Sequence, residues 1–235
     1  MAFGWQAMRN DAGSVIVDQT YKNMSLAASG SVVCSTKLNG YDASYYANFT
    51  VSGLTNPMVA LRSPSTPAAV FVRNRSGNTY TFTVYVDQIS LTGGASNNAN
   101  TVTIYWYVFD NTPTTYSGSE TMGIRICNDA GEPTYDTRFR YANVVGFYNV
   151  TGSPYPSNTF SSGRQYAVVM CAPYVNSTVT MGGATAYLSF LTCGHMVSGA
   201  TVAGYSVRYY TFGSSITPYT YTHAGSYMVL DVTNM

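Results

Sequence analysis

Two histidines and four cysteines are all the imidazole and thiol that this 235-residue chain supplies, and only one pair stands close together, in Cys193-Gly194-His195. A thiolate and an imidazole two residues apart make half of a metal site. A structural zinc takes four ligands, however, and no second close pair of such residues exists. A strand end with a local turn accounts for the tripeptide, and no metal is expected. Among the ten carboxylates, Asp11, Asp18, Asp129 and Asp136 fall in a repeated stretch described next, and Asp42, Asp87, Asp110, Glu120, Glu132 and Asp231 are scattered. Glycoside hydrolysis needs a specific pair, and no spacing here selects one. A Gly-x-Ser-x-Gly elbow, a His-Glu-x-x-His helix, a phosphate-cradling glycine loop and a dinucleotide fingerprint are all missing from the sequence. The run Arg138-Phe139-Arg140-Tyr141 mixes cations with aromatics in a way that could suit an anion or a sugar, but a solvated strand edge is the plainer account of it. The expectation is a protein without catalytic residues or cofactor, not an enzyme.

The elements that would position these residues are organised around a duplicated stretch. Phe3 to Asp18, FGWQAMRNDAGSVIVD, has a second copy at Met122 to Asp136, MGIRICNDAGEPTYD. Both contain Asn-Asp-Ala-Gly, from Asn10 to Gly13 and from Asn128 to Gly131, with the glycines 118 residues apart (131 − 13) and an aspartate, Asp18 or Asp136, five residues later. Alternation around Trp5 predicts a half-buried strand. Asn-Asp-Ala-Gly is the chemistry of a type I turn closed by a glycine at positive φ, so each copy reads as a β-hairpin. The second copy has one residue fewer between its opening glycine and the turn, Gly123 to Asn128 against Gly4 to Asn10, so the register on one side is expected to differ. Pro133 cannot donate to a ladder and belongs at a sheet edge. An aromatic three residues beyond each aspartate, Tyr21 and Phe139, and the related ends Val108-Phe109-Asp110 and Val229-Leu230-Asp231 extend the repeat.

Only 9% of residues are charged while 46% are hydrophobic, with 22 tyrosines. An ordinary soluble domain carries roughly 25% charged residues, so solubility here must come from Ser, Thr, Asn, Gly and tyrosine hydroxyls. The aromatic and β-branched content excludes a disordered chain. A net charge of +1 offers no attraction to a nucleic-acid backbone. No basic leader followed by an apolar run opens the sequence, and no stretch approaches the roughly 20 apolar residues of a membrane span. With Met1 in place, synthesis in a cytoplasm is expected, and Cys34, Cys127, Cys171 and Cys193 are expected as buried free thiols.

Along the chain, Met24 to Ser31 reads as a connection and Val32-Val33-Cys34 as a short strand. Thr79 to Ile89 gives the cleanest period of two, with Tyr80, Phe82, Val84 and Val86 on one face. Thr101 to Asp110 is a second long strand, expected to pair with it as a hairpin around the polar loop Thr92 to Asn100. Residues 111–120, NTPTTYSGSE, form the expected domain boundary. Phe139 to Val150 is expected as a strand pair broken at Gly146, and strands follow over Gln165 to Ala172, Val175 to Met181, Ala184 to Thr192, Val202 to Phe212 and Tyr227 to Val232. No window has capped helical periodicity. The expected fold is all-β: two tandem β-sandwich domains, 1–117 and 118–235, each opened by a similar β-hairpin.

With no reaction centre in view, function should lie in surface. Tyrosine joins a rigid apolar face to a polar tip at low entropic cost, and Tyr155, Tyr209, Tyr210, Tyr219 and Tyr221 are the candidate interface or receptor residues. The structural hairpin residues are Trp5, Asn10, Gly13, Asp18, Asn128, Gly131 and Asp136. Phe-Gly-Trp, then Asn-Asp-Ala-Gly, then Asp18 resembles the opening of small tail-associated structural proteins of tailed bacteriophages and prophages. The match covers about 16 residues in each half, and the second copy carries Ile124 in place of the aromatic and brings Pro133. The resemblance implies a non-enzymatic virion protein at the tail tip or tail fibre, made in the host bacterial cytoplasm. Its partners would be other phage tail proteins, further copies of itself and a host cell-surface glycan or protein. Neither nucleic acid nor membrane insertion is expected. A carbohydrate-binding module or adhesin, and a capsid decoration protein, are the alternatives.

Overall fold

A computed structural model describes residues 6–8, 15–18, 23–38, 44–87, 102–111, 122–128, 130–131, 133–151, 155–182, 185–214 and 221–235. Every regular element among them is a strand: β1 (Gln6–Met8), β2 (Val15–Asp18), β3 (Ser25–Cys34), β4 (Thr36–Lys37), β5 (Ser44–Val51), β6 (Met58–Arg62), β7 (Ala68–Ser76), β8 (Thr79–Asp87), β9 (Val102–Asp110), β10 (Arg125–Cys127), β11 (Pro133–Asp136), β12 (Asn143–Val150), β13 (Ser157–Thr159), β14 (Tyr166–Ala172), β15 (Val175–Gly182), β16 (Thr185–Ser198), β17 (Thr201–Ser214), β18 (Tyr221–His223) and β19 (Gly225–Asp231). The protein is all-β and of the β-sandwich class. No helix among the described residues is long and apolar enough to cross a membrane.

Two large antiparallel sheets face each other. One has the order β12-β19-β14-β6-β9-β3, and the other β13-β17-β16-β7-β8-β5-β4, with β15 and β18 added beyond β16. The alternation in Thr79–Asp87 explains its placement. Tyr80, Phe82, Val84 and Val86 are all buried, and they meet Val59, Leu61, Ile104 and Val108 from the opposite sheet. Burying a side chain such as Phe82 contributes about 2–3 kcal/mol. A second core of the same kind joins Val150, Tyr166, Val168, Tyr227 and Val229 to Cys193, Val197 and Val202. A third apolar layer, with Ala60, Tyr107, Phe109, Ala167, Val169 and Leu230, covers the reverse face of the six-stranded sheet.

The two halves of the chain therefore each supply a core, but they share both sheets. β6 pairs with β14 through Ala60↔Val169 and Leu61↔Val168, and β7 meets β16 at Ala68↔His195. The boundary expected at 117/118 falls outside the described residues.

The halves are related by a two-fold. The six-stranded order is the same from either edge inward: β3-β9-β6 from one side, β12-β19-β14 from the other. Registers agree as well. Ser25 pairs with Asp110 and Leu26 with Phe109, Ala27 bulges, and Ala28 pairs with Val108. In the second half Asn143 pairs with Asp231 and Val144 with Leu230, Val145 bulges, and Gly146 pairs with Val229. In the facing sheet, hairpin β7–β8 closes at Ser76-Gly77-Asn78-Thr79 and hairpin β16–β17 at Ser198-Gly199-Ala200-Thr201. Both glycines sit at φ 58°, a conformation that favours glycine. Leu54 donates its N–H to Asn78 and Phe160 donates its own to Ala200, both at 2.9 Å.

Several expectations from the sequence are corrected. β8 and β9 do not form a hairpin: β8 pairs with β5 and β7, and β9 with β3 and β6 in the opposite sheet. The polar segment between them is long enough to change sheets. Met24 to Ser31 is largely strand, because β3 is a ten-residue edge strand. Its small residues fit since the Trp106 ring lies where a Cβ on Gly30 would be, 2.6 Å away. Phe139 to Val150 is not a strand pair broken at Gly146. It is one strand from Asn143, whose interruption is the bulge at Val145. Of the four free cysteines, Cys34 and Cys193 are buried, whereas Cys127 and Cys171 are exposed.

Candidate interaction surface

The hairpin copies form two separate ribbons, β1–β2 and β10–β11, with β11 running close to β2. Gln6 pairs with Asp18 and Arg125 with Asp136, and each ribbon has its irregularity one residue further on. The difference of register expected between the copies is not found: the extra residue of the first copy falls between Met8 and Val15, so the strand pairing is the same in both. Trp5, Asn10 and Gly13 lie outside the described residues, and only the backbone of Asp18 is described. In the second ribbon the Asn128 side chain accepts from Ala130 N–H at 3.1 Å, and its carbonyl from Gly131 N–H at 2.9 Å. Gly131 has φ 78°, the left-handed conformation that closes a type I turn into a bulge.

Asp136 is the ribbon's anchor. Its fully buried carboxylate accepts from Arg125 Nε at 3.0 Å, from Arg138 Nε at 2.9 Å and Nη2 at 2.6 Å, and from the Arg138 backbone N–H at 3.0 Å. These donors, Arg138 foremost, hold its carboxyl far below the usual aspartate range against the opposing effect of burial. The Tyr141 hydroxyl receives the Asp136 backbone N–H at 2.6 Å. Burial pushes that phenol up to about 12. Tyr141 stacks on Tyr135 at 4.9 Å and meets Phe139 edge-on at 6.4 Å. The Arg138 to Tyr141 run is thus largely spent on the fold.

The Cys193-Gly194-His195 tripeptide lies mid-strand in β16, not at a strand end. The Cys193 sulfur is 3.7 Å from His195 Nε2, and the His195 ring is 4.1 Å from that of Tyr227. Burial lowers the imidazole to about 3 and raises the Cys193 thiol to about 12, so both are neutral at ordinary pH. A neutral thiol beside a neutral imidazole, closed in by Leu61, Ala68, Val70, Val168 and Met170, is packing chemistry. Among the described residues no three His, Cys, Asp or Glu side chains gather as a metal would require.

Of the candidate tyrosines, Tyr155 is half-buried and edge-on to Tyr174 at 5.6 Å. Tyr209 and Tyr210 are placed on β17 and Tyr221 on β18 by their backbone, and Tyr219 lies outside the described residues. The structure does not bring Tyr155 together with the others as one described patch. What the sequence reading missed is apolar exposure. Met122 is 85% exposed, Ile124 69%, Phe147 57% and Val144 50%; the first two lead into β10, and the others line the edge strand β12. Nearby, an open groove of about 490 Å³ is lined by Val145, Thr159, Phe160, Ser161, Tyr166 and the Arg164–Asp231 ion pair.

Comparison of the chain with protein-family models, with curated proteins and with solved structures found no match.

Proposed function

We propose that this protein is a non-enzymatic structural component of a bacteriophage tail, at its tip or fibre, packing against copies of itself and other tail proteins and presenting loops to the host surface. The supporting observation is the set of large apolar side chains left exposed at Met122, Ile124, Val144 and Phe147 in a chain with only 9% charged residues. Exposed apolar side chains that share one edge strand, as Val144 and Phe147 do on β12, mark a site that neighbours cover, and a surface covered by neighbours needs few charges. Mass spectrometry of purified virions together with immunogold labelling tests the reading. Label on tails is the expected result. Absence from virions would overturn it, and label on heads would replace it with capsid decoration.

The groove beside β12 favours a second reading, carbohydrate binding. The face of half-buried Phe160 beside the Arg164–Asp231 pair combines an apolar platform with fixed polar groups, as sugar sites do. A glycan array probed with the isolated chain tests this. Binding lost in Arg164→Ala supports it, and an array without signal rejects it.

A further inference from the structure

The two-fold makes the chain its own control: a residue in one half can be compared with the residue doing the same structural job in the other. Edge strands β3 and β12 are such a pair, with matching registers and matching bulges. On the outer face, position Ser29 opposite Tyr107 corresponds to Phe147 opposite Met228. The fold is satisfied at this position by a serine, so it does not demand a phenylalanine, yet Phe147 stands 57% exposed. One step inward the difference has an internal cause: Gly30 makes room for Trp106, whereas Tyr148 stacks on Tyr227 at 5.2 Å. Phe147 has no such cause among the described residues.

Among the described residues the edges are also open. Beyond the bulges, no described strand pairs with the outer side of β12 or of β3. Before the bulge, β3 is met by the lead-in to β12, where Leu26 N–H donates to Arg140 and Ala142 N–H to Met24. Five antiparallel steps separate β12 from β3 across the sheet, so the two edges run in opposite directions. A β12 placed along the β3 of another copy would continue the antiparallel ladder. The β3 edge offers small residues, Ala28, Ser29, Gly30 and Ser31, and then Val33, itself 48% exposed. One edge is a knob and the other a notch.

We propose that copies of this chain join through unlike edges, β12 of one pairing antiparallel with β3 of the next, so that Phe147 seats over Ser29 and Ser31 while Val144 meets Val33. Unpaired backbone on both edges and the exposed side chains are satisfied together. The proposal takes from the preceding reading only that copies pack on one another. A protein that associates in this way but is absent from tails would leave it standing and remove the virion assignment.

The test is exchange across the two-fold. Phe147→Ser gives β12 the residue β3 already carries, and Ser29→Phe does the reverse. Sedimentation of the full chain should show wild type forming assemblies larger than dimers as concentration rises. Each variant should keep the wild-type circular dichroism and lose apparent self-affinity by about tenfold or more, as removal of a central aromatic contact does. An equimolar mixture of the two should associate again, since one retains the knob and the other the notch. Val33→Lys, on the exposed strand face, serves as a further variant should Phe147→Ser fail to fold, and is expected to lose association likewise. A monomeric wild type overturns the proposal, as does a Ser29→Phe protein that still associates, which would mean that β12 pairs with another β12.

Discussion

Ala60 and Val169 lie opposite each other on the two middle strands of the six-stranded sheet, and each holds in its own half the position that the other holds in its. Ala60 pairs on its other side with Tyr107, one residue before Val108, and Val169 with Met228, one residue before Val229. The two-fold passes between them. A further pair on the same axis is Met24 and Ala142, each one residue ahead of its edge strand and joined by a backbone hydrogen bond of 3.0 Å.

This seam predicts that neither half folds by itself. Fragment 1–117 would bare the edge of β6 and the apolar layer around Ala60, Tyr107 and Phe109, all under 7% exposed in the whole chain. Expressed alone, each half should lack a cooperative thermal transition. Expressed together, the halves should copurify and regain one. Two independent transitions for the isolated halves would show them to be separate folding units.

Glycine positions separate backbone strain from crowding. Gly199, at φ 58° with open space around its Cβ position, should cost about 1 kcal/mol as Gly199→Ala. A Cβ on Gly194 would overlap Val207 and lie 2.9 Å from the Ala68 carbonyl oxygen, forcing β7 and β16 apart. Gly194→Ala should therefore cost about 3 kcal/mol, in the range of overpacked cores. Urea denaturation of the two variants gives the ranking, and equal losses would contradict the tight approach of β7.

Asp136 sets an acid dependence. Its carboxyl titrates lower in the folded chain than the ordinary 3.8, so the stability it contributes is complete above the unfolded range and is lost as pH falls through the folded value. At neutral pH Asp136→Asn should lose about 2–4 kcal/mol. That is at or below the usual cost of breaking a buried pair, because the Arg125 side chain is 41% exposed and water can take it back. The gap between variant and wild type should narrow in strong acid, as thermal melts at graded pH would record. A gap constant with pH would detach the anchor from its charge.

His195 sets a second one at higher pH. Its folded value of about 3 lies below the ordinary 6.5, so the unfolded chain binds a proton that the folded chain refuses. Stability should be flat above the unfolded value and fall as pH drops from about 6.5 toward 3, by at most about 1.4 kcal/mol per pH unit. His195→Gln should flatten that slope while lowering stability overall. An unchanged slope would place the titration on another group.

Much of the fold was legible in the residues. The period of two in Thr79–Asp87 picked out four side chains that are buried together, and Asn-Asp-Ala-Gly marked the turn that Gly131 closes. The shared aspartate marked two related ribbons, but the shorter lead into the second turn pointed to a shifted register, whereas Arg125↔Asp136 and Gln6↔Asp18 keep one register. Strand partners were less legible. β8 and β9 are successive and strongly patterned, but which sheet a strand joins is decided by long-range packing that alternation does not encode. Most of β3 reads as connection because Ser, Ala and Gly signal loops, and the Trp106 ring that explains Gly30 comes from a distant strand. The second repeated turn, Ser-Gly-x-Thr at Ser76 and Ser198, is too short to stand out in the sequence, and the common φ of its two glycines is what marks it. Apolar exposure at Phe147 could not be read at all, since a strand's alternation does not tell which positions neighbours leave bare.

The matched bulges at Ala27 and Val145 show how far two equivalent strands have drifted while keeping one backbone. Two separate copies of a half would be bound to present identical rims, and any change in one would appear in both. Covalent linkage removes that restriction, so a single molecule can acquire a leading side and a trailing side. An object with polarity adds its copies head to tail, as an open run or a closed ring, where one with two like rims could join only like to like.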